Sequence, residues 1–438
     1  MAKRECVELR SVQLDTGTER LMLRIPDRLT YEILKPEELA VLPDPERAIR
    51  DSVQYPIASP GLARLVKPDM KIALLICDNT RYVPQKMILP IVLDILEQSG
   101  VKKENITIVI ACGTHEPMDR KEIEVMVGAE IPTTYRIINH NAYDEEQLVY
   151  LGRSKGLDVP IYLNKTVVDA DFRIGIGVVD PHIFAGYSGG VKILSVGTAG
   201  RQSIAETHNA RVMEDPGTKF GDIRNNTFRD FLNEVASICK LNFLINVVQN
   251  SGKQLLGVFA GDAFKAYEKA VEMAQRSNGA TAEKVADIVI TVPLYPKTNN
   301  LYQAVRAANS VVFCRDKLVK QNGHVILPAR CPHGIGSEDF YKDMACAASP
   351  KEVIERGRNL GFPPEGNKSF TVSKVLQCCN VIVTDTDLKR ETLEAMHLQY
   401  EVTVQQALDR LAEDSENRHL IIMPDGFSMM PALVRTEK

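Results

Sequence analysis

None of the nine cysteines in this 438-residue chain is spaced CxxC, and Cys378 and Cys379 are adjacent. That argues against thiolate zinc sites. Cysteines set inside apolar runs, such as Cys77 and Cys112, read as buried free thiols of a reducing compartment. No apolar run approaches the roughly 18 residues of a membrane span, and the first five residues, Met1-Ala2-Lys3-Arg4-Glu5, hold no apolar signal core. The expectation is a cytoplasmic protein with no membrane partner. Positive charge is not in excess: 53 Lys and Arg stand against 57 Asp and Glu, a net charge of -4, and they are spread along the chain. The electrostatic footprint of a nucleic-acid partner is therefore missing. Two phosphate-binding signatures are absent as well. Gly190-Val191-Lys192-Ile193 breaks the GxxxxGK[ST] pattern, and no GxGxxG occurs.

What is present is an alternation of strand and helix patterns. At about 150 residues per domain, the length predicts two or three domains. Residues 5–25 alternate in polarity and turn at Asp15-Thr16-Gly17, as a hairpin does. Apolar runs at 71–77, 106–112, 136–139 and 172–179 read as strands. Between the first two, Ile88, Ile91, Val92, Ile95 and Leu96 mark one helix face, and Gly100 stops that helix. Residues 242–249 and 254–260 look like a late strand pair, and 264–276 reads as a helix ending at Ser277-Asn278-Gly279, the best linker. The pattern then restarts, with strands at 287–292, 324–327, 381–384 and 419–423. Strands alternating with helices imply parallel sheets. The expected fold class is α/β: two α/β domains with mostly parallel sheets, over 1–278 and a smaller 279–438, with the active site in the cleft between them.

Three strand runs end in unusual polar residues: Asp78-Asn79-Thr80-Arg81, then Gly113-Thr114-His115, then Asp180-Pro181-His182 and the loop to Ser188-Gly189-Gly190-Val191-Lys192. Ligands bind beyond the carboxyl ends of an open parallel sheet, and right-handed crossovers put these three ends on one edge. Glycines let backbone approach a bound group, and a following helix N-terminus attracts anions. A lysine there can hold a phosphate or form a covalent bond; a histidine can move protons or bind metal. His208 follows sixteen residues beyond Lys192, on a helical stretch. His140, His324, His333, His397 and His419 lack such a context and read as structural. At this level a Lys192 Schiff-base lyase or aldolase and a phosphate- or nucleotide-binding module both remain open.

With these motifs in their order and spacing, the chain resembles the nickel-pincer-nucleotide-dependent lactate racemases and the wider group of 2-hydroxyacid racemases and epimerases. The family's Asp-x-Thr-Arg-x-x-Pro motif is similar to Asp78 through Pro84, its Gly-x-His to Gly113-Thr114-His115, and its glycine-rich block to His182 through Lys192. Its Tyr-Gln-x-x-Lys segment resembles Tyr302-Gln303-Ala304-Val305-Arg306, with Arg306 in place of lysine. The resemblance implies an isomerase that inverts C2 of a small-molecule 2-hydroxy acid, lactate or a larger one, by reversible hydride transfer. It implies a nickel-pincer nucleotide (pyridinium-3-thioamide-5-thiocarboxylic acid mononucleotide) bound covalently to Lys192, with His208 as the protein ligand to Ni2+. It also implies His115 and His182 as the proton acceptors and donors, and Asp78, Thr80, Ser188, Gly189 and Gly190 around the cofactor. Arg81, Tyr302, Gln303 and Arg306 are implied at the substrate. Cofactor-biosynthesis proteins are the implied partners. Arginine offers a planar fork where lysine offers a point charge, so Arg306 changes what the substrate end of the site recognises.

Overall fold

The computed structural model describes residues 10–363, 366–413 and 417–434. They form two compact units. The first holds 38–208 and 212–277. Its six-stranded sheet runs, edge to edge, Leu255–Gly261, Phe243–Gln249, Phe172–Val178, Ile72–Ile76, Ile106–Ile110 and Arg136–Asn139. All neighbours are parallel except the edge strand Leu255–Gly261, which returns antiparallel to Phe243–Gln249. Ile72–Ile76 and Ile106–Ile110 are buried at every position, as expected of apolar runs covered on both faces. One face packs on the helix Gln85–Gln98 through Ile88, Leu89, Val92 and Leu96. The other packs on Thr227–Ile238 and Lys265–Asn278 through Phe228, Phe231, Leu232 and Val271.

The chain order places the site. From the central strand Ile72–Ile76 the chain moves outward to Ile106–Ile110 and Arg136–Asn139. It then crosses back to Phe172–Val178 and continues the other way. Where strand order reverses, the loops after two adjacent strands leave toward opposite faces and open a crevice at their carboxyl ends.

The second unit gathers the described residues before 38 with 209–211 and 278–434. Its sheet runs Gln399–Tyr400, Cys379–Thr384, Val319–Pro328, Ala286–Thr291, His419–Met423 and Thr30–Ile33, all parallel. The expected contiguous domain over 1–278 is thus divided differently at its start. Thr30–Ile33 pairs with His419–Met423 to complete this sheet, and the buried His419 ring lies 2.9 Å from both Thr30 Oγ1 and Glu32 Oε1. The hairpin Ser11–Asp15 with Arg20–Arg24 forms as expected, and its Leu14 and Leu23 join the apolar cluster of Ile288, Ile290 and Leu408. The expected linker falls at the boundary between units, but no loop occurs there. The helix Lys265–Asn278 leads straight into the strand Gly279–Ala282.

Candidate active site

Beyond Ile72–Ile76 the chain turns at Asp78, a residue only 4 % exposed. One oxygen accepts from the Thr80 amide at 3.1 Å and the Thr80 hydroxyl at 2.6 Å; the other lies 2.6 Å from His115 Nδ1. Burial raises the Asp78 pKa, but the bonds from His115 and Thr80 outweigh it, and the carboxyl sits below its ordinary value. An ionised carboxylate only accepts, so His115 Nδ1 carries a hydrogen, and in the neutral ring the lone pair is on Nε2. That imidazole side chain is 59 % exposed. His115 reaches Asp78 because Ile106–Ile110 is the parallel neighbour of Ile72–Ile76, and because Gly113 turns the chain with φ +59°.

Across the reversal point, Phe172–Val178 leads into the short pair Pro181–His182 with Gly186–Tyr187. His182 Nδ1 accepts from the backbone N–H of Phe184 at 3.2 Å and of Ala185 at 3.1 Å. A ring nitrogen that accepts carries no hydrogen, so the neutral ring has its proton on Nε2. In their neutral forms His115 and His182 are therefore held as opposite tautomers.

The loop between His182 and Lys192 is shaped from behind. The Ser188 hydroxyl donates to Val178 O at 2.8 Å and accepts from the Asp180 N–H at 2.9 Å. Gly189 and Gly190 have φ of +75° and +59°. A Cβ on the first would stand 2.8 Å from Asn246 Oδ1, and on the second 2.8 Å from the Tyr267 ring. Asn246 Oδ1 also accepts the Gly190 N–H at 2.8 Å. These glycines make room for packed side chains, and the bonds present Lys192 at the start of a single helical turn, Lys192–Ser195. Burial first, then the Arg81 and Arg229 charges, lower the Lys192 pKa to about 7. An amine uncharged near neutrality is a nucleophile.

His208 ends the helix Arg201–Thr207. Its Nδ1 lies 2.9 Å from Ile204 O, a pure acceptor, so Nδ1 carries the hydrogen and Nε2 the lone pair. The ring is held edge-on by Phe184 and Phe228, with centroids 6.0 and 5.1 Å away. Burial above all lowers its pKa to about 4, so the imidazole is neutral. A neutral imidazole whose second nitrogen donates to a backbone carbonyl is the arrangement of a metal-ligating histidine. Among the described residues no group of three His, Cys, Asp or Glu could hold a metal ion. This donor set fits a metal that takes one ligand from the protein and the others from an organic cofactor, and Lys192 fits a covalent tether.

Tyr302, Gln303 and Arg306 belong to the second unit, on Leu301–Ala304 and Val305–Ala308, after the carboxyl end of Ala286–Thr291. That strand neighbours His419–Met423 where the second sheet reverses its order. Arg306 lies over the Phe427 ring at 5.4 Å, and Lys368 over the Tyr302 ring at 4.3 Å. Sequence reasoning passed over Asn246, Tyr267 and Arg229, which brace the loop before Lys192. Their signal was faint: an asparagine inside the apolar run Phe243–Gln249, and an arginine beside Phe228 on the apolar face of a helix.

Comparison with known families matches residues 16–221 to the lactate racemase N-terminal domain and 280–431 to the lactate racemase C-terminal domain. The chain is 27 % identical over 431 residues to the lactate racemase of Thermoanaerobacterium thermosaccharolyticum, spanning 96 % of this chain and 99 % of that protein. It is 27 % identical over 390 residues to the lactate racemase of Lactiplantibacillus plantarum, spanning 88 % and 90 %. Among solved structures, the lactate racemase apoprotein from T. thermosaccharolyticum matches with a TM-score of 0.87 at 26 % identity, over 96 % of this chain and 100 % of that one. A Thermotoga maritima protein shares the fold, with a TM-score of 0.67 at 20 % identity over 91 % of this chain and 100 % of that one.

Proposed function

Because the chain belongs to the lactate racemase family and is on that ground a racemase acting on a small molecule, we propose that it inverts C2 of a 2-hydroxy acid, lactate or a larger one, with His115 and His182 exchanging the hydroxyl proton. The observation that carries this reading is the contrast in partners at the two Nδ1 atoms, a carboxylate at His115 and two backbone N–H groups at His182, which sets the neutral rings in opposite tautomers. His115, held through Nδ1 by Asp78, offers a lone pair at Nε2; His182, accepting two backbone N–H groups at Nδ1, offers a hydrogen at Nε2. One ring is set to take the hydroxyl proton and the other to return one, which racemisation through a planar 2-oxo acid needs.

The α-hydrogen of a 2-hydroxy carboxylate is not acidic, because the adjacent carboxylate already carries charge. Its departure as hydride is easier. A nickel-pincer nucleotide, when bound, supplies the hydride acceptor. Lys192 would hold that nucleotide covalently and His208 would be the protein ligand to its nickel. Asp78 and Thr80 shape the cofactor side through the bonds that orient His115, and Ser188, Gly189 and Gly190 through the loop that presents Lys192. Arg81, Tyr302, Gln303 and Arg306 bind the substrate. Cofactor-biosynthesis proteins are the partners this chemistry requires.

The test is made on protein produced alongside the cofactor-synthesis machinery. Intact mass, peptide mapping and nickel content should show one adduct on the Lys192 peptide and about one nickel per chain. Chiral analysis of a panel from lactate through malate to sugar acids should show interconversion. An unmodified Lys192 in fully active enzyme rejects the tether. A second reading is favoured by the burial of the Lys192 amine, which with the Arg81 and Arg229 charges lowers its pKa to about 7 and also suits a Schiff-base lyase or aldolase. Borohydride trapping of a carbonyl substrate on Lys192, without nickel, would select it.

A further inference from the structure

The second unit's sheet reverses its strand order between Ala286–Thr291 and His419–Met423. The two strands are parallel, so their carboxyl ends lie side by side, and the crevice beyond them is where such a sheet takes a ligand. The chain leaving the first strand leads to Val305–Ala308, which carries Arg306. The chain leaving the second forms the turn Asp425-Gly426-Phe427-Ser428. The two paths meet at one contact: the Arg306 guanidinium carbon lies over the Phe427 ring, 5.4 Å from its centre.

That turn is held from both sides. One oxygen of Asp425 accepts the N–H groups of Phe427 at 2.9 Å and of Ser428 at 3.1 Å, and the other accepts the Ser428 hydroxyl. The Gly426 N–H donates to Val292 O at 2.9 Å, just beyond Ala286–Thr291. Gly426 O accepts the hydroxyl of buried Ser310, four residues after Arg306. Thr291 Oγ1 donates to Ala307 O at 3.2 Å, which ties the strand end to the residue after Arg306. A Cβ on Gly426 would stand 2.6 Å from the Ala307 Cβ and would overlap Thr291 Oγ1. Only glycine lets the turn lie this close to the backbone that carries Arg306.

The ring itself does not serve the core. Gly426 and Met429 take the inward positions of the turn, and Phe427 is half-buried. What it does meet is a guanidinium. An aromatic face attracts that cation and steadies it, and the donors at the edge of the fork stay available to a planar, bidentate acceptor. A lysine ammonium has no plane for a ring to fix, so the Phe427 ring also gives a reason for arginine at this position. Resting on the reading above in which Arg306 binds the substrate, we propose that Phe427 is a positioning residue for it. Phe427 holds the Arg306 guanidinium at the reversal point of the second sheet, so that its edge takes a carboxylate of the 2-hydroxy acid.

The probe is 2-hydroxyisobutyrate, a 2-hydroxy carboxylate with no α-hydrogen, which can bind but cannot turn over. Calorimetry on the full chain, produced alongside the cofactor-synthesis machinery, reads its Kd. Phe427→Leu keeps apolar bulk but loses the π face, and should raise Kd about 5–30-fold. Phe427→Tyr keeps the face and should stay close to wild type. In an Arg306→Gln background, itself a weaker binder, Phe427→Leu should change nothing further, because the ring has no cation left to hold. An unchanged Kd in folded Phe427→Leu overturns the proposal, as does an equal loss in Phe427→Tyr. An undiminished Phe427→Leu effect in the Arg306→Gln background overturns it too, since the ring would then act without the guanidinium. If Phe427→Leu does not fold, wild-type affinity in Phe427→Met overturns it equally, and so does a wild type that does not bind the probe. With an acid that turns over, Phe427→Leu should raise KM and leave kcat near wild type, because the contact is made alike in ground and transition states. Failure of the racemase reading would appear separately, as no interconversion of any 2-hydroxy acid while probe binding and its dependence on Phe427 remain.

Discussion

His115 owes its orientation to one oxygen of Asp78. Replacing that carboxylate with an amide lets the ring take the other tautomer and puts hydrogen where the lone pair is needed. Asp78→Asn should therefore lower kcat by about 10²–10⁴-fold with KM little changed; a near-normal kcat in a chiral assay would return His115 to a structural role. Asp78 also marks the acid limb of stability. Its folded pKa lies below its unfolded value of about 3.9, so its contribution is present above that pH and is lost as pH falls through the folded value. Thermal unfolding of Asp78→Asn between pH 5 and 3 should lose this part of the slope. At His208, the neutral ring gives a cleaner readout: His208→Ala should lower nickel content while the melting profile of the cofactor-free chain is largely kept. Undiminished nickel in that variant rules the ligand role out. The residue types at the strand ends were legible in the sequence, because parallel topology forces those ends together. The tautomers were not, since a carboxylate, two backbone N–H groups and one carbonyl set them, and side-chain patterns do not display backbone partners. His140, bonded to Ala199 O, His397, bonded to Ala347 O, and His419 have the structural settings their sequence context suggested.

The glycine-rich loop and the helix behind it work as one piece. Asn226 caps Thr227–Ile238 by accepting the Arg229 N–H, and its Nδ2 donates to Phe184 O at 2.9 Å, while Phe228 from the same turn packs on the His208 ring. A change at one glycine should be felt through all of it. Gly190→Ala puts a Cβ against the Tyr267 ring at a positive φ, and should destabilise the chain by about 1–3 kcal/mol in urea unfolding. It should also lower adduct yield at Lys192. Unchanged stability and yield would mean the loop is looser than its packing implies. The loop was visible in sequence as a run of glycines, but what they accommodate was not. The space is filled by Asn246 and Tyr267, from elements 56 and 77 residues away, and only the folded core brings them there. Thr30–Ile33 was missed for a similar reason: four residues of mixed polarity declare no partner when that partner is nearly the whole chain distant.

At the scale of the molecule, the Lys192 amine makes the cofactor-free protein gain stability toward base. Its folded pKa of about 7 lies below the unfolded value of about 10.4. Between those values the unfolded chain holds a proton that the native chain does not, so stability rises with pH from about 7 to about 10. Lys192→Met should remove that rise; identical pH dependence in wild type and variant between pH 6.5 and 9.5 would contradict the environment described for the amine. The first unit's helices and parallel strands were readable because its apolar runs are long and continuous. The composition of the second was not, since it borrows the hairpin and Thr30–Ile33 from the other end of the chain. That borrowing has a consequence for biosynthesis. Thr30 and its partner His419 are 389 residues apart, so the edge strand leaves the ribosome long before the strand it must pair with exists. At about 5–20 residues per second the wait is roughly 20–80 s. During it the nascent chain can complete the first unit's sheet while the hairpin and Thr30–Ile33 remain exposed, a window in which a chaperone would find an unpaired edge to shield.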